Sequence, residues 1–295
     1  MPAQSALLKN KSVDDQKSMK VSSFYINLDS ENQRKVFLEK NYQQFIGGDW
    51  PLTRVDAVVA DSDTVRSLSG TLSLREKACF KSHLLAIEQG LDLPDDILIL
   101  EDDALFGSYS KHLIVSGLAL LRDQEWDLLF LDVAVPNPES MIDFFRLRQF
   151  LIAQARFNLV DLSKINFAGA TAYIINANSK KKIYDELMSL KEINTPYDLQ
   201  LRNLIHEEKL KGQVIFPFAS TLSEFADSSQ IQPQSTQRTD QAWNAYRRLV
   251  WVGCANEPYN PVVANEQLIQ AVDDLYSKNL GAILAITLGK NFQEK

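Results

Sequence analysis

Ile97-Leu98-Ile99-Leu100-Glu101-Asp102-Asp103-Ala104 is the stretch that decides the fold. Four aliphatic residues with no polar alternation read as a strand buried on both faces, the pattern of a parallel sheet covered by helices. Three carboxylates follow without a break. Side by side they repel one another unless a cation or strong donors offset the charge. Open α/β sheets bind ligands beyond the carboxyl ends of their strands, so the acids mark a site. Their chemistry points to a divalent metal.

Working outward, strands and helices alternate. A strand is expected over residues 21–28, a helix over 31–44 and a second strand over 54–59. Ser73-Leu74-Arg75-Glu76 is a capping-box pattern that opens a helix running to residue 89. After the acid-tipped strand come a helix at 110–122 and a strand at 127–132. A long connection over 136–164 carries an amphipathic helical stretch at 144–155. A strand at 167–176, helices at 179–190 and 197–210, and a strand at 212–217 complete the series. The alternation predicts an α/β, Rossmann-like, mostly parallel sheet flanked by helices, with a helical C-terminal extension.

Composition bounds the function. At 295 residues and 45% hydrophobic content the chain can fill a large core. A net charge of −7 argues against a nucleic-acid partner, which needs a basic face. Cys79 and Cys254 are too few for a disulfide framework or a zinc site and read as free thiols of a reducing compartment. The first 20 residues are polar, lack a signal-peptide core and read as disordered. A soluble, cytoplasmic protein is expected.

The tail differs in character. Residues 228–240 are rich in Ser, Gln, Thr and Pro and read as a linker, so the domain boundary is placed at 231/232. Helices are expected at 241–252 and 265–278; Trp243, Tyr246, Leu249 and Val250 fall at helical spacing suited to packing. The apolar stretch 280–288 is too short to span a bilayer, which takes about 20 residues. Core packing is its expected role, with a dimer contact or a membrane-surface contact as the alternatives. Oligomeric state is not legible.

The residues also resemble a family. Tyr25-Ile26-Asn27-Leu28-Asp29 with Arg34, Arg54-Val55-Asp56-Ala57, the helix segment Leu72 to Leu84 with Cys79 and Ser82-His83, and Ile99 to Ala104 occur in the order of the landmarks of glycosyltransferase family 25. That family includes bacterial lipooligosaccharide and capsule glycosyltransferases and collagen galactosyltransferases. Trp126 to Leu131, Ala170 to Ile175 and Pro196-Tyr197-Asp198 fit its later landmarks. The resemblance covers residues 21–231. Arg75 and Ala78 stand where the family usually has Gly, which bears on local geometry more than on chemistry.

The resemblance implies a GT-A type fold and a metal-dependent, inverting transfer of a hexose, galactose or glucose, from a UDP-sugar to a hydroxyl of a surface glycan or lipooligosaccharide. Mn²⁺ or Mg²⁺ would be held by Glu101 and Asp103, as hard cations prefer oxygen ligands. Ile26, Asn27, Leu28, Asp29, Arg34, Asp56, Ser82, His83 and Asp102 are assigned to the donor site. Asp29 can equally cap the following helix, and Arg34 can be a plain surface arginine. Asp198 is the favoured general base and Asp132 the second choice. Gly169 with its small neighbours permits a close approach to the sugar or tight strand packing, and Asp227-Ser228-Ser229 is a polar turn near the diphosphate. A Mg²⁺-dependent phosphoryl or nucleotidyl transferase lacks support, since no Gly-rich phosphate loop is present. An inactive, sugar-nucleotide-binding or scaffold relative is the rival from another class. Association with the inner face of a membrane would follow from a glycolipid acceptor.

Overall fold

The computed structural model describes residues 19–228 and 237–253. Its first half runs β1 (Val21–Asn27), α1 (Asn32–Phe45), β2 (Leu52–Asp56), a short α2 (Asp63–Arg66), α3 (Leu74–Gly90) and β3 (Asp96–Glu101). Then follow β4 (Ala104–Leu105), α4 (Ser110–Leu121), β5 (Leu128–Phe130), α5 (Pro138–Ala153) and β6 (Asn158–Asp161). The remainder is β7 (Ala172–Ile175), α6 (Lys180–Met188), α7 (Tyr197–His206), β8 (Gly212–Phe216), β9 (Thr221–Leu222) and α8 (Gln237–Val250). The expectations for residues 1–18, 229–236 and the tail from 254, with its second helix and apolar stretch, lie outside the described residues.

Seven strands form one sheet in the order β2-β1-β3-β7-β5-β8-β6. Strands β1, β2, β3, β5 and β8 run one way, and β6 and β7 run the other. The expected mostly parallel α/β sheet is therefore present, with an antiparallel strand, β7, at its centre. The apolar run in β3 behaves as its composition requires. Ile97 and Ile99 join one core cluster with α3, α6 and α7 residues such as Leu84, Ile183 and Leu201. Leu98 and Leu100 join the opposite cluster with Leu38 and Tyr42 of α1 and Leu113 and Leu118 of α4. Helices thus cover both faces, and the strand is buried on each.

Local signals set several boundaries. Ser73 caps α3 reciprocally with Glu76, the capping box read from the sequence. Arg75 and Ala78 sit inside that intact helix, so their departure from the family pattern leaves the helix start unaltered. Other boundaries moved. The strand expected over 167–176 is paired in the sheet only as Ala172–Ile175, because Gly169 takes φ +88° and breaks the extended run. The connection 136–164 contains α5 from Pro138 and an edge strand, β6, which was not foreseen. Asn158 and Asp161 flank only two apolar residues there, too short a run to show alternation.

Helix α8 shares the main core: Tyr246, Leu249 and Val250 are buried in the cluster beneath α5 and β8, as their spacing suggested. Tyr246 Oη donates to the Met141 carbonyl at 2.5 Å. Arg248, fully buried, donates from Nε to the Leu222 carbonyl at 3.0 Å and from Nη2 to the Ser223 carbonyl at 2.6 Å. These contacts fasten α8 to the segment that follows the sheet.

Because β3 is buried on both faces, Leu98→Ala and Ile99→Ala should each cost about 2–5 kcal/mol. Denaturant midpoints at unchanged slope measure this. A large loss on one face and none on the other would contradict the two-sided burial.

Candidate active site

The reversal of β7 assembles the site. Because β7 runs against β3 and β5, its amino end meets their carboxyl ends at one edge of the sheet. Glu101 N donates to the Thr171 carbonyl at 2.8 Å, and Leu131 N to the Ala172 carbonyl at 2.9 Å. Glu101, Thr171 and Asp132 are thereby placed side by side. The small sheet β4–β9 turns the chain away directly after the acids, and Ser223 N donates to the Asp103 carbonyl at 2.8 Å.

Each carboxylate meets a different environment. Asp102 accepts from Arg34 Nη1 at 2.7 Å and from Asn27 Nδ2 at 2.8 Å. Glu101 accepts from His83 Nε2 at 3.2 Å. Burial alone would raise the Glu101 pKa, but His83, with the charges of Arg247 and Arg34, brings it below the usual carboxylate value. Asp103 has only a looser partner, its Oδ2 lying 3.9 Å from Arg34 Nη1. Burial, followed by the charges of Glu101 and Asp102, pushes its carboxyl up to about 7. Its Oδ1 is buried and has no hydrogen-bond partner among the described residues. An orphaned anionic oxygen beside two further carboxylates fits a bound divalent cation, and the Glu101–Asp103 oxygen set suits a hard ion. Cys79, His83 and Glu101 also bring their ligand atoms within 4.8 Å of one another, a softer donor set.

His83 is held by an aromatic rack. Its ring stacks on Tyr197, centroids 4.1 Å apart and planes 6° from parallel, and its Nδ1 lies 3.0 Å from Tyr173 Oη. Tyr173 Oη lies 2.7 Å from Tyr197 Oη. The fixed ring directs Nε2 at Glu101. Ser82, next to it, is buried and accepts from Val58 N at 2.9 Å while donating to the Ala78 carbonyl at 2.7 Å, so it anchors the loop after β2.

Two cavities open on either side of the acids and share Cys79, His83, Glu101 and Asp103. One, of about 310 Å³, lies over the ends of β1 and β2, with Ile26, Leu28 and residues 57–60 as an apolar wall and Asn27, Arg34, Arg75 and Asp102 as its polar part. The other, of about 350 Å³, is bounded by Gly169–Thr171, Tyr197, Asp198 and three α8 residues, Trp243, Asn244 and Arg247.

The structure gathers most of the sequence-predicted site residues and separates a few. Ile26, Asn27, Leu28, Arg34, Ser82, His83, Glu101, Asp102, Asp103 and Asp198 all line this double cleft. Arg34 is no plain surface arginine: its side chain is 14% exposed and Nη2 also donates to the Phe225 carbonyl at 2.6 Å. Asp29 and Asp56 line neither cavity; their side chains are 98% and 85% exposed and both pair with Arg54. Nor does Asp29 cap α1, whose cap position is Glu31. Asp132 does not face the cleft: it is fully buried, ion-paired with Arg247 and bonded to Ser220 Oγ at 3.1 Å. A carboxylate saturated in this way takes no substrate proton, which corrects its reading as a base. Asp227 lines neither cavity, its carboxylate taken by Arg248 Nη1 at 2.9 Å and Asn244 Nδ2 at 3.4 Å.

Sequence reading missed the roles of Tyr173, Tyr197, Trp243, Asn244 and Arg247. Tyr173 and Tyr197 lay inside recognised landmarks and carried no polar signal of their own. Arg247 Nε donates to Asp132 at 2.9 Å and Nη2 to Thr171 Oγ1 at 3.0 Å across gaps of 115 and 76 residues, a contact no local pattern discloses. Gly169 lies beside it in a φ +88° backbone that favours glycine, and a Cβ there would sit in ordinary contact with Arg247 Nη1 at 3.4 Å.

Two outcomes follow from this geometry. Asp132→Asn should cost about 3–5 kcal/mol by leaving Arg247 buried without its counter-ion; intact stability with lost turnover would instead return Asp132 to the chemistry. In metal-free protein the folded state holds the Asp103 proton to about pH 7, whereas an unfolded chain releases it near about pH 4. Between those values the folded state binds more protons, so this group makes stability fall as pH rises. Thermal melts of Asp103→Asn should lose that part of the slope, and an unchanged slope would refute the assignment.

Comparison with known proteins agrees with the residues. The family model for glycosyltransferase family 25 (LPS biosynthesis protein) matches residues 21–201. A comparison with curated proteins found no match. Among solved structures, the mannosyltransferase PcManGT from Pyrobaculum calidifontis in complex with GDP-Man and Mn²⁺ aligns over 99% of this chain and 88% of its own, at 12% identity and a TM-score of 0.39. That likeness is too distant to assign a ligand. With more than half of its length matched, from β1 into the first half of α7, this chain belongs to glycosyltransferase family 25.

Proposed function

We propose that this protein is a metal-dependent, inverting glycosyltransferase of GT-A type that moves a hexose, galactose or glucose, from a UDP-sugar to a glycan hydroxyl. The carrying observation is the orphaned Asp103 oxygen at the junction of two cavities. One cavity suits a nucleotide: its apolar wall takes a base, and Arg75 and the Asp102-paired Arg34 border the space for a diphosphate. The other suits the sugar and its acceptor.

Glu101 and Asp103 would hold Mn²⁺ or Mg²⁺, which when bound would neutralise charge on the departing diphosphate. Arg34 and Asn27 hold Asp102 away from the cation's oxygen set. His83 orients Glu101. Asp198, at the start of α7, accepts from Gly169 N through Oδ2 at 2.7 Å, which fixes the carboxylate and leaves Oδ1 for the acceptor hydroxyl. As the hydroxyl oxygen bonds to the anomeric carbon, its proton passes to Asp198 and the bond to the diphosphate oxygen breaks, releasing UDP. One displacement inverts the anomeric centre.

In this reading Asp29 and Asp56 take no part, and the catalytic domain of residues 21–231 is completed by α8. The acceptor is a surface polysaccharide or lipooligosaccharide. No helix among the described residues is long and apolar enough to cross a membrane. The rival reading of an inactive relative draws on Arg75 and the unmatched tail, and Arg75 sits inside an intact, capped α3.

The test is UDP release from UDP-galactose and UDP-glucose with Mn²⁺ or with a chelator, paired with calorimetric UDP binding. Release should depend on metal, Asp198→Asn should lower kcat by about 10²–10⁴, and Asp103→Asn should abolish the Mn²⁺-induced rise in melting temperature. Absence of both UDP release and metal-dependent UDP binding would defeat the proposal.

A further inference from the structure

The acceptor-side cavity has a wall that the family match does not reach. The match ends at residue 201, yet Trp243, Asn244 and Arg247 of α8 line the cavity. Trp243 packs part of its indole on the main core, and its Nε1 is buried with no hydrogen-bond partner among the described residues. An aromatic ring beside a polar cavity stacks on the C–H face of a sugar. Asn244 is steadied by the Ala226 carbonyl at 3.3 Å and by Asp227 Oδ1 at 3.4 Å.

Charge narrows what the wall can receive. Among the described residues, the acids on this cavity are Glu76, Glu101, Asp103 and Asp198, against one cation, Arg247. Arg247 is already ion-paired with the buried Asp132 and so brings little free positive charge. With a divalent cation shared by Glu101 and Asp103, Glu76 and Asp198 have hydrogen-bond donors but no ion-pair partner among the described residues. A carboxylate or phosphate on the acceptor ring would meet like charge in a partly desolvated space.

Resting on the donor reading above, we propose that Trp243 and Asn244 form the acceptor-selecting wall and that the wall admits an uncharged pyranose while rejecting one that carries an acidic group. Selection here is both attractive, through the indole, and repulsive, through Glu76 and Asp198.

The probes are p-nitrophenyl β-glucoside and p-nitrophenyl β-glucuronide, which differ only in a hydroxymethyl against a carboxylate. Binding of each to the full chain loaded with UDP and Mn²⁺ is followed by saturation-transfer NMR, with UDP affinity measured in parallel. The glucoside should bind about tenfold or more tightly than the glucuronide. Trp243→Leu should weaken glucoside binding by about tenfold, and Trp243→Phe by less, with UDP affinity unchanged. Glucuronide binding equal to glucoside binding, no glucoside binding by protein that holds UDP, or an unaltered glucoside affinity in Trp243→Leu would each overturn the inference while leaving the donor reading intact. Loss of UDP binding by the wild type would remove the donor reading and this inference with it. If Trp243→Leu does not fold, Trp243→Phe and the wild-type comparison of the two glycosides still decide.

Discussion

Three carboxylates in a row at the buried end of a central strand are the constraint on which the rest of the structure depends. Desolvation penalises each charge, and each penalises its neighbours, so the surrounding chain is arranged as compensation. Arg34 and Asn27 answer Asp102. His83 answers Glu101, and Arg247 adds positive charge from behind. Asp103 receives only the 3.9 Å approach of Arg34 Nη1 at Oδ2, and its buried Oδ1 keeps no hydrogen-bond partner among the described residues.

The compensating groups must themselves be held. His83 is fixed by stacking on Tyr197 and by Tyr173, which comes from the antiparallel β7. Arg247 is fixed by Asp132 and Thr171, residues from β7's amino end and from beyond the carboxyl end of β5. A fully parallel sheet would send the amino end of β7 to the opposite edge and dissolve both arrangements. The single reversed strand at the centre is therefore what joins the donor-side and acceptor-side cavities through one shared set of acids.

Much of this was legible in the chain. The Ile97–Leu100 run announced a doubly covered strand because four consecutive apolar residues have only that way to leave water on both faces. Ser73 and Glu76 announced α3 because capping is local, satisfied within three residues. The family landmarks named Asn27, Arg34, His83 and the acids together, and the fold brings them to one cleft because they lie near the ends of β1 and β3 or on the helices packed beside those strands. Asp132 misled for an instructive reason: an acid after a buried strand looks the same in sequence whether it faces a cleft or a buried arginine. Asp29 and Asp56 misled likewise, since strand-end acids can turn outward to Arg54.

By itself the sequence determined the layered α/β architecture, the edge at which the site forms and the family to which the chain belongs, because periodicity, capping and short motifs act over a few residues. Only the tertiary structure decided which acids are compensated, which one is orphaned, and that α8 closes the second cavity. Those outcomes rest on contacts between residues far apart in the chain, Arg247 with Asp132 and Tyr173 with His83, and on the reversed direction of β7. Distance and direction in space are not written in local pattern, and the electrostatic environment that distinguishes Asp103 from Asp132 exists only once they are fixed.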